Sequence, residues 1–317
     1  MFDSQFLQRL EYLSLLSRQV FGGQLLAQRR TKQTGGGVEF ADHREYVAGD
    51  DLRMLDWKVF ARHGDLLLKR FQEEEDLHVY LFLDCSVSMW LREENQNESN
   101  TKKALNSRSS RGVEKARPKT INKFDFARQI TAALAYIALA DLDRVAIIGY
   151  SKEISQMLPP TRGKNRILSL LQFLETLETD GDRTDLPSVV DQFIARGPRR
   201  GLAVVLSDFL DQEGYRRGLD RLRHHRFEPH VVQIHTPEEA KPTLLGDIEL
   251  IESETGEHRK MTITERKLRE YENLFEQFCE TLQQYCRTYG LSYIRASNDI
   301  GFDDVLLKMM RTAGVVA

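Results

Sequence analysis

The sequence lacks most of what would mark a specialised chain. It has 3 cysteines and no CxxC pair, which excludes a disulfide framework or a zinc–thiolate site and suits a reducing compartment. Its 8 prolines and 20 glycines in 317 residues exclude a collagen-like or low-complexity chain. The longest apolar stretches, such as Val79 to Leu83 and Leu202 to Leu206, fall far short of the ~18 residues of a membrane span. The opening MFDSQFLQRLEYLSLL has no basic start, apolar centre or small-residue cleavage site, so it does not read as a signal peptide. Neither charge dominates: 45 Lys+Arg face 48 Asp+Glu for a formal −3, which excludes a polycation built to coat nucleic acid. No HExxH, no strand-borne GxxxxGK[ST] or GxGxxG, and no GxSxG elbow is present. A cytoplasmic protein is expected, with no membrane span and no specific nucleic-acid binding.

What is present is a regular alternation. Residues 1–76 hold an amphipathic helix over Phe6 to Gln24, stopped by Gly22-Gly23. A basic, glycine-rich link through Arg29, Arg30 and Gly35-Gly36-Gly37 follows, then a small element over Val38 to Phe71. In that element two strand-like runs flank a turn at Ala48 to Asp51 and a short helix around Leu52 to Ala61. From residue 77 to 317, apolar strands HVYLFLD, RVAIIGY, LAVVLSD, HVVQIHT and LSYIR alternate with amphipathic helices, and EISQML reads as an edge strand. Such a pattern predicts an α/β fold with a mostly parallel sheet and helices on both faces. Two insertions break the rhythm. Residues 91–120 carry eight Lys/Arg against four Glu and no aromatic, so they read as a solvated, disordered loop without base-stacking side chains. Residues 244–264 read as a hairpin turning at Thr255-Gly256.

The chemistry concentrates at strand ends. Asp84-Cys85-Ser86-Val87-Ser88 is a DxSxS run closing the first core strand; Thr184 precedes a helix in GDRTDL; Asp208 ends the strand VVLSDF. Loops at the carboxyl ends of one parallel sheet converge, so these oxygen-bearing side chains can share one crevice. A hard divalent cation takes such ligands: Ser86 and Ser88 can bind Mg²⁺ or Mn²⁺ directly, while Asp84 and Asp208 accept hydrogen bonds from its water. That leaves a coordination position for a partner protein's acidic side chain. The plainer reading is that Asp84, Thr184 and Asp208 cap helices and fix loops.

These residues carry a resemblance. DxSxS, the threonine and the strand-end SD look like the metal-ion-dependent adhesion site of von Willebrand factor type A domains. The segment GGGVEFADHREYVAGDDLRMLDWKVFARHGDLLLKRFQEEE resembles the signature of the bacterial "domain of unknown function 58" family, and GDIELIESETGE falls where that family has a hairpin. The resemblance implies a von Willebrand A-like (Rossmann-type) domain, a metal site at Asp84, Ser86, Ser88, Thr184 and Asp208, and work beside a MoxR-type AAA+ ATPase in assembling or maturing other proteins. Many relatives carry membrane helices at the amino end; their absence here favours the cytoplasm.

Within Asp50 to Arg62, the residues Arg53, Trp57 and Arg62 suit a partner-docking face, because Trp and Arg are favoured anchors. The plainer alternative is internal: Arg–Asp pairs with Trp57 packed beneath them. Function therefore reads as an adaptor that grips a partner carboxylate through a Mg²⁺-dependent site. The alternatives are a metal-independent scaffold docking through residues 50–62, or a Mg²⁺-dependent phosphoryl-transfer enzyme. Against the enzyme, Ser86 stands where a DxD nucleophile pair needs its second carboxylate, and no general base adjoins Ser86 or Ser88. Three further readings assign no chemistry. Cys279 and Cys286, seven apart on one helix, face the core together; Cys85 points inward; His224-His225 lie on a solvated helix face.

Overall fold

HVYLFLD, RVAIIGY and LAVVLS are rich in β-branched, aliphatic and aromatic residues with almost no alternation, and their side chains are buried almost throughout. They form the middle of a six-stranded sheet. The computed structural model describes residues 2, 4–21, 34–35, 39–72, 77–90, 121–179, 183–211, 214–243, 245–251 and 258–312. The chain divides into two compact units, Met1–Ser14 with His78–Ala317, and Leu15–Leu77. The first fourteen residues thus group with the large unit, not with the small element that follows them. Phe6, Leu10 and Leu13 of α1 (Ser4–Phe21) are buried, and Phe6 meets Phe302 at 4.9 Å.

In the large unit, β4 (His78–Asp84) leads to α3 (Lys123–Ala140), β5 (Arg144–Tyr150), the edge strand β6 (Ile154–Arg162), α4 (Ile167–Thr176) and α5 (Leu186–Ala195). Then come β7 (Leu202–Ser207), α6 (Tyr215–His224), β8 (Glu228–His235), the short α7 (Pro237–Ala240), α8 (Glu265–Thr288), β11 (Ser292–Ser297) and α9 (Phe302–Thr312). The sheet order is β11-β8-β7-β4-β5-β6, parallel except for β6, which runs antiparallel to β5. The expected edge run is thus longer than EISQML and reaches Arg162. Between α7 and α8 stand β9 (Gly246–Ile251) and β10 (His258–Ile263), an antiparallel pair as the hairpin reading requires; its turn lies outside the described residues, as does the 91–120 insertion.

After β4 the chain builds β5 on one side, then returns to place β7 on the other, so the order reverses between β4 and β7. Ligands of open α/β sheets bind at such a reversal, outside the carboxyl ends of the strands. One face of the sheet packs Tyr80, Phe82 and Ile148 against Val189, Val190 and Phe193 of α5, Leu219 and Leu222 of α6 and Leu282 of α8. Phe193 meets Tyr80 and Phe82 edge-on at 4.9 and 5.0 Å. α3 packs on the sheet and against α4 and α9. Cys85, Cys279 and Cys286 are all buried and free, as expected.

The small unit holds β1 (Thr34–Gly35), β2 (Glu39–Glu45), a 3₁₀ turn over Leu52–Met54, α2 (Trp57–His63) and β3 (Leu67–Gln72), with strand order β1-β3-β2. Gly35, read as linker, instead pairs with Phe71 across β1 and β3. Leu55 and Leu68 bridge each other and are buried. Asp56 caps α2 by accepting from the N–H groups of Lys58 and Val59, and Gly64 ends the helix at φ 77°, a left-handed position that glycine adopts without strain.

Candidate functional site

The rim between β4 and β7 gathers four of the predicted donors by direct contact, and the fifth, Asp208, through its charge. Asp84 is wholly buried. Its Oδ1 accepts from the Ser86 N–H at 2.9 Å, its Oδ2 accepts from the Ser207 hydroxyl at 2.6 Å, and the Thr184 hydroxyl lies 3.5 Å from both oxygens. Ser86 Oγ and Ser88 Oγ are 2.9 Å apart, where a 3₁₀ turn over Val87–Trp90 brings the second hydroxyl back over the first. Asp208 follows β7, the strand paired to β4. Burial first, and the negative charge of Asp208 second, hold the Asp84 carboxyl above the usual carboxylate range.

Local structure sets each group. Asp185 caps α5 by accepting from the Ser188 N–H, which leaves the Thr184 hydroxyl free of capping and turned to Asp84. The capping reading therefore belongs to Asp185, one residue on. After β7 the chain turns sharply through Phe209, a buried non-glycine residue at φ 62°. The Phe209 N–H donates to Ser207 Oγ at 2.9 Å and the Leu210 N–H donates to Asp208 Oδ1 at 3.1 Å. A bulky residue in the left-handed region costs of order 1–3 kcal/mol and persists where surrounding bonds impose it, most often at functional sites.

Four residues at this rim escaped the sequence reading. Ser207 stands beside Asp208 in the SD pair that closes β7. The Tyr150 hydroxyl, at the end of β5 in register with Asp84, is buried beside Ser207. Burial, and then the Asp84 charge, push it well above the usual tyrosine range. Lys123, at the start of α3, is fully buried; its Nζ donates to Asp208 Oδ2 at 3.0 Å and to Glu239 Oε1 at 2.6 Å. Burial disfavours its ammonium, but Asp208 and Glu239 outweigh that and raise its pKa. A lysine opening an otherwise apolar helix, KFDFARQI, was the one available signal.

In the small unit, the internal reading of Trp57 is overturned. Its side chain is 60% exposed and touches Phe60 edge-on at 6.2 Å. Asp56 takes the inward position, reaching His43 at 3.1 Å and Lys69 at 3.6 Å, and its successor is left outside. Asp50 pairs with Arg44 at 2.6 Å, and Asp51 accepts from the Arg53 N–H. The Arg53 and Arg62 side chains are exposed, and neither makes an ion pair among the described residues. His224 and His225 are exposed, as expected of a solvated helix face.

Among the described residues no group of three or more His, Cys, Asp or Glu side chains gathers as a metal cluster, and no helix is long and apolar enough to cross a membrane. An uncharacterised protein of Mycobacterium tuberculosis is 24% identical over 263 residues, 82% of this chain and 75% of its own length. A second uncharacterised protein, from Mycobacterium avium, is 31% identical over 108 residues, 33% of this chain and 63% of its own. Among solved structures, a conserved hypothetical protein BatB from Bacteroides thetaiotaomicron aligns at 15% identity and TM-score 0.40, over 74% of this chain and 99% of that one. An aerotolerance-related membrane protein from Bacteroides fragilis aligns at 15% identity and TM-score 0.43, over 74% and 100%. The profile described as "Protein of unknown function DUF58" matches residues 42–107 and 105–277, and on that match the chain belongs to the DUF58 family.

Proposed function

We propose that the rim between β4 and β7 binds Mg²⁺ or Mn²⁺ and presents it to an acidic side chain of a partner protein, so that the chain works as an adaptor. Asp84 carries the reading: it is a wholly buried carboxylate whose partners are hydroxyls and an N–H and which is acted on by the charge of another carboxylate, Asp208. Burying a charge this way is costly unless a cation joins it.

The donor set suits a hard cation. Ser86 Oγ and Ser88 Oγ, at 2.9 Å, have the separation of two adjacent ligands in an octahedron, about 2.9 Å for bonds of about 2.0–2.1 Å. Both oxygens of Asp84 and of Asp208 already accept hydrogen bonds, which favours holding the cation through its water. Ser86, Ser88 and Thr184 would hold the ion, and the ion would supply a positive centre for an incoming carboxylate. The partner is a protein with an exposed acidic side chain; a MoxR-type AAA+ ATPase is the associated machine that the family resemblance suggests.

Calorimetry of Mg²⁺ and Mn²⁺ on the full chain and on Asp84→Ala tests the reading. Binding that the substitution abolishes supports it, and no binding by the unaltered chain refutes the metal. Affinity purification with and without a chelator then separates metal-dependent partners. Turnover of a generic phosphate ester that vanishes in Asp84→Asn would move the site to phosphoryl transfer.

The exposure of Trp57 favours a second, metal-independent docking face formed by Arg53, Trp57 and Arg62 in the small unit. Charge reversal at Arg53 and Arg62 that abolishes a pull-down, with Asp84→Ala harmless, would assign binding to it.

A further inference from the structure

Lys123 stands where local physics does not favour a cation. It is the first residue of α3, capped by Asn122 accepting from the Phe124 N–H, and a helix amino end is the positive end of the backbone dipole. It is also fully buried, a rare state for lysine unless paired. Two carboxylates from different elements hold it there. Asp208 comes from the turn after β7. Glu239 comes from α7, where Thr236 and Glu239 form a reciprocal cap and Glu239 Oε2 accepts from the Thr236 N–H at 2.8 Å. That bond fixes the second carboxylate, so its Oε1 is presented to Nζ at 2.6 Å. A single ammonium therefore joins the ends of β7 and β8 and neutralises one of the two carboxylates that the cation reading assigns to the rim.

We infer that Lys123 is a built-in counter-cation that competes with the divalent ion for Asp208, and that Glu239, by drawing the ammonium away from Asp208, sets how strongly it competes. The inference rests on the metal reading above. An ammonium 3.0 Å from Asp208 subtracts from the negative potential a divalent ion meets, so the site binds its ion less tightly than five oxygen donors alone would. The same subtraction leaves more of the ion's charge uncompensated and available to an incoming carboxylate.

The two residues predict changes of opposite sign. With the full chain and Mn²⁺ alone, Lys123→Met raises affinity tenfold or more, because it removes the competitor. Glu239→Gln removes the negative charge and keeps one acceptor oxygen where the carboxylate offers two, so it holds the ammonium less strongly, leaves it more strongly on Asp208, and lowers affinity threefold or more. Circular dichroism establishes whether Lys123→Met folds; if it does not, Glu239→Gln decides. If the unaltered chain binds Mn²⁺ and neither variant departs from it by more than twofold, the inference falls and the metal reading stands. If none of the three binds, both fall. A purely structural role for Lys123 would lower affinity in Lys123→Met, and that outcome overturns the competition as well.

Discussion

In the small unit Asp56 is hydrogen-bonded by His43, meets Lys69 and accepts two helix N–H groups, and its carboxyl is held down at about 2. At the rim of the large unit Asp84 is enclosed by the sheet beside a second carboxylate, and burial pushes it up to about 6. The same residue type therefore does opposite work in the two units. Asp56 and Asp50 are neutralised by neighbours and cap turns, which is how charge stabilises a small element with a thin core. Asp84 keeps a charge that its surroundings do not neutralise, and strongly perturbed groups in a cleft mark candidate functional sites. Lys123 sharpens the contrast, since the fully buried cation at this rim goes to Asp208 and Glu239.

The largest test of this contrast is removal of Lys123. Lys123→Met leaves two carboxylates facing an apolar side chain, and the loss of one partner of a buried pair costs about 3–5 kcal/mol. Urea unfolding of the metal-free chain should show that loss; a change under 1 kcal/mol would mean that the ammonium is not holding the rim.

Next comes pH. Asp84 has a folded value above its ordinary 3.8, so the metal-free protein gains stability as pH falls from above 6 to below 3.8. Asp56 lies below 3.8, so its contribution is present above that value and is lost as pH falls through about 2. Asp84→Asn should therefore exceed the unaltered chain by about 3 kcal/mol at pH 8 and lose that advantage as pH falls below 3.8, read from urea midpoints. Asp56→Asn should show the reverse pattern, a deficit at pH 8 that shrinks toward pH 2.

Lys69 is the half-exposed counterpart of Lys123. Its pair with Asp56 is longer, at 3.6 Å, so Lys69→Met should cost less than about 1 kcal/mol and leave Mn²⁺ affinity unchanged. The smallest expected effect is at Trp57. With its ring 60% exposed, Trp57→Ala should alter stability by no more than about 0.5 kcal/mol. A loss near that of a core aromatic, about 3–5 kcal/mol, would show that the ring is covered in solution.

The two regions also differ in how far the sequence exposed them. HVYLFLD, RVAIIGY and LAVVLS announced buried strands because each is too apolar to leave either face in water, and the structure places those strands at residues 78–84, 144–150 and 202–207. Asp84, Ser86, Ser88, Thr184 and Asp208 were legible because strand-end loops of a parallel sheet meet, whatever their separation in the chain. Lys123 and Glu239 were not, since they lie 116 residues apart and each reads locally as an ordinary helix residue. For Trp57 the sequence left a docking face and internal packing both open, and which neighbour turned inward depended on Asp56 finding His43 and Lys69.

What the sequence determined alone is the order of elements and the end of the sheet at which they place oxygen donors. Period and apolarity are local properties, and the direction of a parallel sheet follows from its connections. What only the tertiary structure decided is the balance of charge at that end. Whether a carboxylate keeps its proton, its cation or neither depends on the few ångströms around it, and those are supplied by residues from distant parts of the chain.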